Sequence, residues 1–192
     1  MGMLTKDQFL NFHGLSLLSD IFVETGTFEG KTLDQAVQLD FEEIHTIDVI
    51  KEYSQDCASR YHSDPRVHCH TGSSPDILPS LLKETKSYTF WLDAHYQAYR
   101  TEETCPKYGQ CPLLQELKII FSVPWLISPI ILIDDAFMFE EPLPGFKKDD
   151  WPKLFQIQQL IPKNYRLDKF ESVLVVNNYS GSYLGCSKMY PS

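Results

Sequence analysis

Acidic residues recur where predicted β-strands end. These residues are Glu24, Asp48, Asp93, Asp134 and Asp135. Carboxylates can hold a divalent cation, accept hydrogen bonds from ribose hydroxyls, or face a positively charged ligand. Because an acid is costly within a buried strand, acids at several neighbouring strand ends indicate a site.

The stretch Ile21–Leu33 shows how such a site would be built. A predicted strand, Ile21–Thr25, runs into a turn that contains Gly26 and Gly30, and a helix is predicted over Phe28–Leu39. Glycines let the backbone approach a ligand closely, and a helix N-terminus offers unpaired N–H groups. This arrangement is typical of nucleotide-sized sites in α/β proteins.

Two interpretations of this turn differ in the ligand. Gly26 to Thr32 is similar to a phosphate-binding P-loop, but it is one residue too short, and Glu24 would repel phosphate. The alternative is a nucleoside without phosphates, for which Glu24 could face an ammonium and a sulfonium. Asp48, at the end of the second strand, would then accept the two ribose hydroxyls.

The elements that must position these acids alternate between strand and helix. The later strands are predicted at Glu43–Val49, Val67–Thr71, Tyr88–Asp93 and Pro129–Ile133, with helices at Ile50–Tyr61, Asp76–Lys83, Pro112–Phe121 and Pro152–Leu160. The continuously apolar run at 129–133 indicates a central parallel strand. Two last strands, Tyr165–Phe170 and Val173–Asn177, are too close for a helical crossover and predict an antiparallel hairpin.

Together, these predicted strands and helices indicate an α/β fold with a Rossmann-like, doubly wound, mostly parallel seven-stranded sheet and a C-terminal antiparallel β-hairpin. We expect one domain over residues 1–192, with residues 1–19 as a leading arm or helix. Parallel strands of such a sheet bring their carboxyl ends to one edge, so the acids should converge there.

From Asp20 to Asn178 the chain resembles the class I S-adenosylmethionine-dependent methyltransferases. Residues 24–30 lie where that family has an acid-x-G-x-G-x-G turn, with Phe28 in place of the middle glycine, and residues 72–79 are similar to the turn beside the adenine. The resemblance implies S-adenosylmethionine as cofactor. It also implies that the following residues bind this cofactor: Glu24, Thr25, Gly26, Thr27, Phe28, Gly30, Asp48, Gly72, Ser73 and Asp93.

The segments Leu92–Tyr96 and Ile133–Asp135 are closest in motif to the small metal-dependent O-methyltransferases. This resemblance implies that Asp93, Asp134 and Asp135 hold Mg²⁺ or a similar ion. Asp93 and His95 are then the candidate catalytic residues for O-methylation of a sugar, phenol or natural product. His95 could be the general base, a fourth ligand or a solvated loop histidine. A non-catalytic or hydroxylase-like protein of the same fold remains the alternative.

Other side chains leave more than one interpretation open. Cys105 and Cys111 are spaced too widely for a usual zinc knuckle and are expected to be free thiols. His68 and His70 alternate along a strand, so both can face one side, where we expect them to be polar residues of the sheet surface. Aromatic residues in the two loops above the sheet could stack on a substrate or cover the sheet end; these are Tyr96, Tyr99, Phe137, Phe139 and Trp151.

Composition narrows the class of partner. The chain has 192 residues and a formal net charge of −9, which disfavours nucleic acid and fits a small-molecule substrate. It has neither an apolar run long enough for a membrane span nor a signal-peptide pattern. The five cysteines are widely spread and suggest a reducing, cytoplasmic compartment. The substrate would be bound by the loops at 95–111 and 136–151, with a homodimer as a possible arrangement.

Overall fold

A mixed eight-stranded sheet is the centre of the computed structural model, which describes residues 19–95, 106–178 and 187–188. Its strands are β1 (Ile21–Thr25), β2 (Glu43–Asp48), β3 (Val67–Thr71), β4 (Tyr88–Leu92), β5 (Ile130–Ile133), β6 (Arg166–Phe170), β7 (Val173–Asn177) and β8 (Ser187–Lys188). The described helices are α1 (Lys31–Ala36), α2 (Lys51–Arg60), α3 (Ser74–Leu81), α4 (Leu113–Ser122) and α5 (Leu154–Leu160). Short 3₁₀ turns cover Pro106–Tyr108, Ala136–Phe139 and Lys148–Asp150.

The strand order is β3-β2-β1-β4-β5-β7-β6-β8. Strands β1 to β5 pair in parallel, and β7 runs antiparallel to both β5 and β6. The predicted mostly parallel, seven-stranded sheet with a terminal hairpin is therefore confirmed. The sequence does not predict the two-residue strand β8, which pairs antiparallel with β6.

Alternating side chains bury both faces of the sheet. In β1, Ile21 and Val23 pack on the side of α3, α4 and α5, whereas Phe22 packs on the side of α1 and α2. Successive residues of a strand point to opposite faces, so a strand covered on both sides must be apolar throughout. The four residues of β5 are all buried, as its continuous apolar run predicts.

Most predicted element bounds lie within one or two residues of the observed ones, and the largest differences concern α1. Its predicted start at Phe28 is wrong because the turn continues to Gly30, the N-cap, whose φ of 75° is left-handed. Its end comes at Ala36 rather than Leu39. The predicted leading segment, except Ser19, lies outside the described residues. Among the described helices, none has the length and apolarity to span a membrane.

Close backbone approach sets the position of the turn after β1. Gly26 has a φ of 87°, and a Cβ atom there would lie 2.5 Å from the carbonyl oxygen of Asp93. Only glycine combines this conformation with this contact. Gly26 thus holds the end of β1 against the segment that follows β4.

We expect Gly26→Ala to lower the free energy of unfolding by at least about 2 kcal/mol, because it adds a backbone clash to left-handed strain. Gly109→Ala is the matched control: its φ is 69°, but its Cβ would meet Asp150 only at 3.4 Å. Urea unfolding of both variants measures the difference. Equal destabilisation by the two substitutions would contradict the clash.

Candidate active site

The carboxyl ends of the parallel strands are joined by backbone hydrogen bonds. The N–H of Asp93 donates to the Thr25 carbonyl at 3.0 Å, and the N–H of Asp134 donates to the Leu92 carbonyl at 3.1 Å. These bonds hold the segments after β4 and β5 side by side. The predicted convergence of acids at one edge of the sheet follows from this arrangement.

Asp93, His95 and Asp135 form a compact cluster at this edge. The Nε2 atom of His95 lies 3.2 Å from Oδ1 of Asp93 and 3.2 Å from Oδ2 of Asp135. One donor atom from each residue lies within 4.8 Å of the other two, which is close enough for one metal ion. Burial raises the pKa of Asp93, and the hydrogen bond from His95 opposes this shift.

Asp134, predicted as a metal ligand, lines the same small pocket as Asp93, His95 and Asp135. Its Oδ1 atom accepts the N–H of Asp135 at 2.8 Å, and its side chain does not belong to the three-donor cluster. Burial raises the pKa of Asp134 to about 8, with further contributions from the negative charges of Asp93 and Asp135. Asp135 has a left-handed φ of 53°, which turns its carboxylate away from that of its neighbour and towards His95.

A small pocket adjoins this cluster. Its walls include Cys111, Glu116 and Trp151, together with the acids that follow β4 and β5. The enclosed space is about the size of one ion or water molecule. Burial raises the pKa of the Cys111 thiol, so this cysteine is protonated at neutral pH in the metal-free protein.

Glu116 is a buried acid of this site that the sequence prediction missed. It is 1% exposed, and its Oε1 atom accepts a hydrogen bond from the Ser74 hydroxyl at 2.5 Å. Burial raises its pKa to about 7, and the bond from Ser74 opposes that shift. The signal was present in the sequence, because Glu116 falls within the buried helical stripe of Leu113, Leu117 and Ile120.

Aromatic rings cover the cluster from the loop after β5. The ring of His95 lies 5.3 Å from that of Trp151 and 6.4 Å from that of Phe146. Phe139 and Trp151 are each 4% exposed and pack in the core, so in this structure they cover the sheet end. Phe137 is exposed, and the predictions for Tyr96, Tyr99 and Cys105 lie outside the described residues.

Asp48 links three segments of the predicted nucleoside site. Its Oδ2 atom accepts the N–H of Phe28 at 2.9 Å, and Oδ1 accepts the N–H of Ile50 at 2.8 Å. Its carbonyl accepts the N–H of Gly72 at 2.8 Å. Each carboxylate oxygen has two lone pairs and can accept more than one donor.

Phe28, which stands where the family has its middle glycine, has a left-handed backbone conformation. Its φ is 47°, a region that is unusual for a bulky residue. Its ring makes an edge contact with Tyr53, at 5.3 Å between centroids. The bond to Asp48 and this ring contact hold the strained residue in place.

Glu24 is buried beneath the turn. It is 1% exposed, and its Oε2 atom accepts a hydrogen bond from Thr46 at 2.5 Å, while Thr27 and Thr46 share a second bond at 2.6 Å. Burial raises the pKa of Glu24 to about 8, against the opposing effect of Thr46. In the ligand-free protein this carboxyl is therefore mostly protonated at neutral pH.

The segment after β3 completes the predicted set. Ser73 is the N-cap of α3, but its side chain makes no capping bond, and the hydroxyl of Ser74 donates to Glu116. Gly72 contacts the second strand through Asp48. Thr25, the last residue of β1, contributes its carbonyl to the bond with Asp93.

We expect Phe28→Gly to be more stable than Phe28→Ala by about 1 kcal/mol, because both remove the ring but only glycine relieves the left-handed strain. Chemical denaturation of the two variants gives this difference directly. Wild-type Phe28 serves as the reference for the ring contact. If the alanine variant is the more stable of the two, Phe28 is not strained.

We expect Glu24→Gln to stabilise the ligand-free protein increasingly as pH rises. The unfolded carboxyl ionises near 4.5 and the folded one near 8, so the wild type loses stability as pH rises through that window. Glutamine cannot ionise, so the stability of the variant relative to the wild type should rise by on the order of 1–3 kcal/mol towards the upper end of that pH window. Thermal melts near pH 5 and near pH 8 measure it, with the exposed Glu84→Gln as control. If the stability difference between Glu24→Gln and the wild type is the same at both pH values, the buried, protonated state of Glu24 is contradicted.

Solved structures with a similar fold include methyltransferases that bind S-adenosylmethionine or S-adenosylhomocysteine, and a spermidine synthase from Thermotoga maritima. No family model and no curated protein sequence matches the chain. The methyltransferase PaMTH1 from Podospora anserina, bound to S-adenosylhomocysteine, is similar with a TM-score of 0.58 and 15% identity, over 92% of this chain and 79% of that one. The O-methyltransferase TomG from Streptomyces achromogenes, in complex with S-adenosylmethionine, has a TM-score of 0.57 and 16% identity, over 87% and 76% of the two chains. At these identities the likeness establishes the fold: the chain has the Rossmann-like fold of S-adenosylmethionine-dependent methyltransferases.

Proposed function

We propose that the chain is an S-adenosylmethionine-dependent methyltransferase that O-methylates a small hydroxylated molecule with the help of a divalent cation. The observation that carries this proposal is the Asp93–His95–Asp135 donor cluster, which adjoins the turn after β1 in a methyltransferase fold. The net charge of −9 favours a small molecule over nucleic acid as substrate.

The turn after β1 supports the cofactor half of the proposal. Asp48 can accept ribose hydroxyls while it keeps its bonds to Phe28 and Ile50. Glu24, buried at the end of the same strand pair, would ionise when a positively charged sulfonium or ammonium approaches, because an opposite charge favours the carboxylate. A phosphate ligand would receive no such compensation there, and Lys31 pairs with Glu29 at 2.8 Å on the surface.

The donor atoms of the cluster fit a divalent ion. Two carboxylates suit Mg²⁺ or Mn²⁺, and one imidazole extends the choice to Fe²⁺ or Zn²⁺. We propose Asp93, His95 and Asp135 as the ligands, in place of the predicted Asp93, Asp134 and Asp135. A bound ion would supply Lewis-acid activation of a substrate hydroxyl.

Each protein group then has a defined role. His95 directs Nε2 between the two carboxylates, which favours the ligand role over the general-base role that the sequence left open. Asp134 holds the N–H of Asp135 and thereby fixes the turn that presents the Asp135 carboxylate. Phe146 and Trp151 form an apolar wall beside His95, which can exclude water and orient an organic substrate.

We expect S-adenosylhomocysteine to bind the purified protein in calorimetry, and ATP with Mg²⁺ to bind far more weakly. With Mn²⁺ as the spectroscopic probe, Asp135→Asn should weaken metal binding at least about tenfold, because it removes one charged ligand. The same variant should bind S-adenosylhomocysteine within about threefold of the wild type, because Asp135 lies outside the proposed nucleoside contacts. Glu84→Gln, at the opposite edge of the sheet, is the matched acid-to-amide control.

The outcomes separate the alternatives. Tight ATP binding without S-adenosylhomocysteine binding would favour a nucleotide-hydrolysing protein and overturn the proposal. Cofactor binding with unchanged Mn²⁺ affinity in Asp135→Asn would exclude the metal assignment but leave the cofactor assignment. Metal binding without any cofactor binding would favour the hydroxylase-like alternative.

A further inference from the structure

Three histidines and one glutamate share one face of strands β2 and β3, away from the cluster after β4 and β5. His45 is the register partner of His68, and His70 lies one step further along, opposite Ile47. The ring of His45 lies 4.9 Å from that of His68 and 5.3 Å from that of His70. Glu43 precedes His45 by two residues on the same face.

The hydrogen bonds of His45 define which of its nitrogens can bind a metal. Nε2 lies 3.2 Å from Oε2 of Glu43, and Nδ1 lies 3.1 Å from Nε2 of His70. An ionised carboxylate only accepts hydrogen bonds, so Nε2 carries the proton and Nδ1 presents a lone pair. A carboxylate on the far nitrogen of a histidine is the arrangement that orients histidine ligands in metal sites.

His70 and His68 can supply the remaining ligands. A separation of 3.1 Å between Nδ1 of His45 and Nε2 of His70 is close to the spacing of two nitrogens on one ion, about 3.3 Å for tetrahedral Zn²⁺. In the metal-free state a proton on Nε2 of His70 lies between this nitrogen and Nδ1 of His45. His68 is exposed and stacked on His45, but in the present rotamers the three histidines do not bring three donor atoms together, so His68 would have to change rotamer to supply a third ligand.

We propose that His45, His68 and His70 form a binding site for a divalent transition metal such as Zn²⁺, Ni²⁺ or Cu²⁺, with Glu43 orienting His45. Imidazole donors prefer these ions over Mg²⁺, whereas the Asp93–His95–Asp135 cluster is rich in carboxylate oxygen. The second oxygen of Glu43 lies 3.6 Å from Nζ of Lys83, which balances its charge. The two sites therefore differ in both place and donor chemistry.

A metal here would fasten β3 to β2 through side chains as well as backbone. Strand β3 is the edge of the sheet, and it ends at Thr71, just before Gly72 and its bond to Asp48. An ion that binds the folded state alone raises its stability. The site thus couples metal binding to the order of the strand that leads into the proposed nucleoside turn.

Zn²⁺ titration of the full chain by calorimetry tests the proposal, in an Asp135→Asn background that weakens the other cluster. We expect His68→Ala/His70→Ala to lower Zn²⁺ affinity at least about tenfold, and Glu43→Gln to lower it by about 10- to 100-fold. His62→Ala is the matched control, because His62 is an exposed histidine bonded to Ser59 and Ser63. Zn²⁺ should raise the melting temperature of the control but not of the double variant.

Cu²⁺ electron paramagnetic resonance on the Asp135→Asn protein with all its histidines intact gives a readout that does not depend on histidine substitutions. Coupling to at least two imidazole nitrogens supports the site. Oxygen-only coordination, or Zn²⁺ affinity in the double variant equal to that of His62→Ala, would overturn it.

Discussion

The central constraint on this fold is the cost of keeping carboxyl groups out of water at one edge of the sheet. Glu24, Glu116 and Asp134 are each at most 4% exposed, and burial raises the pKa of all three. Such groups destabilise the folded chain unless they are protonated or hydrogen-bonded. Their number at the carboxyl edge is consistent with a site that becomes favourable when a cation, organic or metallic, is bound.

Backbone conformation sets the turn after β1 and the position of Asp135. Gly26 allows the end of β1 to touch the Asp93 carbonyl. Phe28 and Asp135 both have left-handed conformations; the Phe28 N–H donates to Asp48, and the Asp135 carboxylate lies near His95. Strained residues of this kind persist only where the surrounding contacts hold them. Here Asp48 and Tyr53 hold Phe28, and Asp134 holds the N–H of Asp135.

The fold could be predicted from the sequence because its signals are local and redundant. The apolar run of β5 by itself predicts a central parallel strand. The short gap between β6 and β7 by itself predicts an antiparallel hairpin. The acids at strand ends could be predicted for the same reason, since parallel strands share one carboxyl edge. Strand β8 was missed because two residues carry no periodicity.

The roles within the site depend on torsion angles that sequence patterns do not encode. Adjacent Asp134 and Asp135 look equivalent in the sequence, but Asp135 has a positive φ and its carboxylate lies near His95, whereas the Asp134 carboxylate accepts a backbone N–H. Glu116 was overlooked because its neighbours in the helical stripe are apolar and their pattern suggested only a core contact. Ser74 likewise bonds across to another helix rather than to its own N-terminus.

A crystal structure of the chain grown with S-adenosylhomocysteine and Mn²⁺ would test the central claim most directly. We expect the ribose hydroxyls against Asp48, the amino-acid end near Glu24, and an anomalous manganese peak between Asp93, His95 and Asp135. Density for the nucleoside elsewhere, or manganese bound away from these three residues, would contradict it.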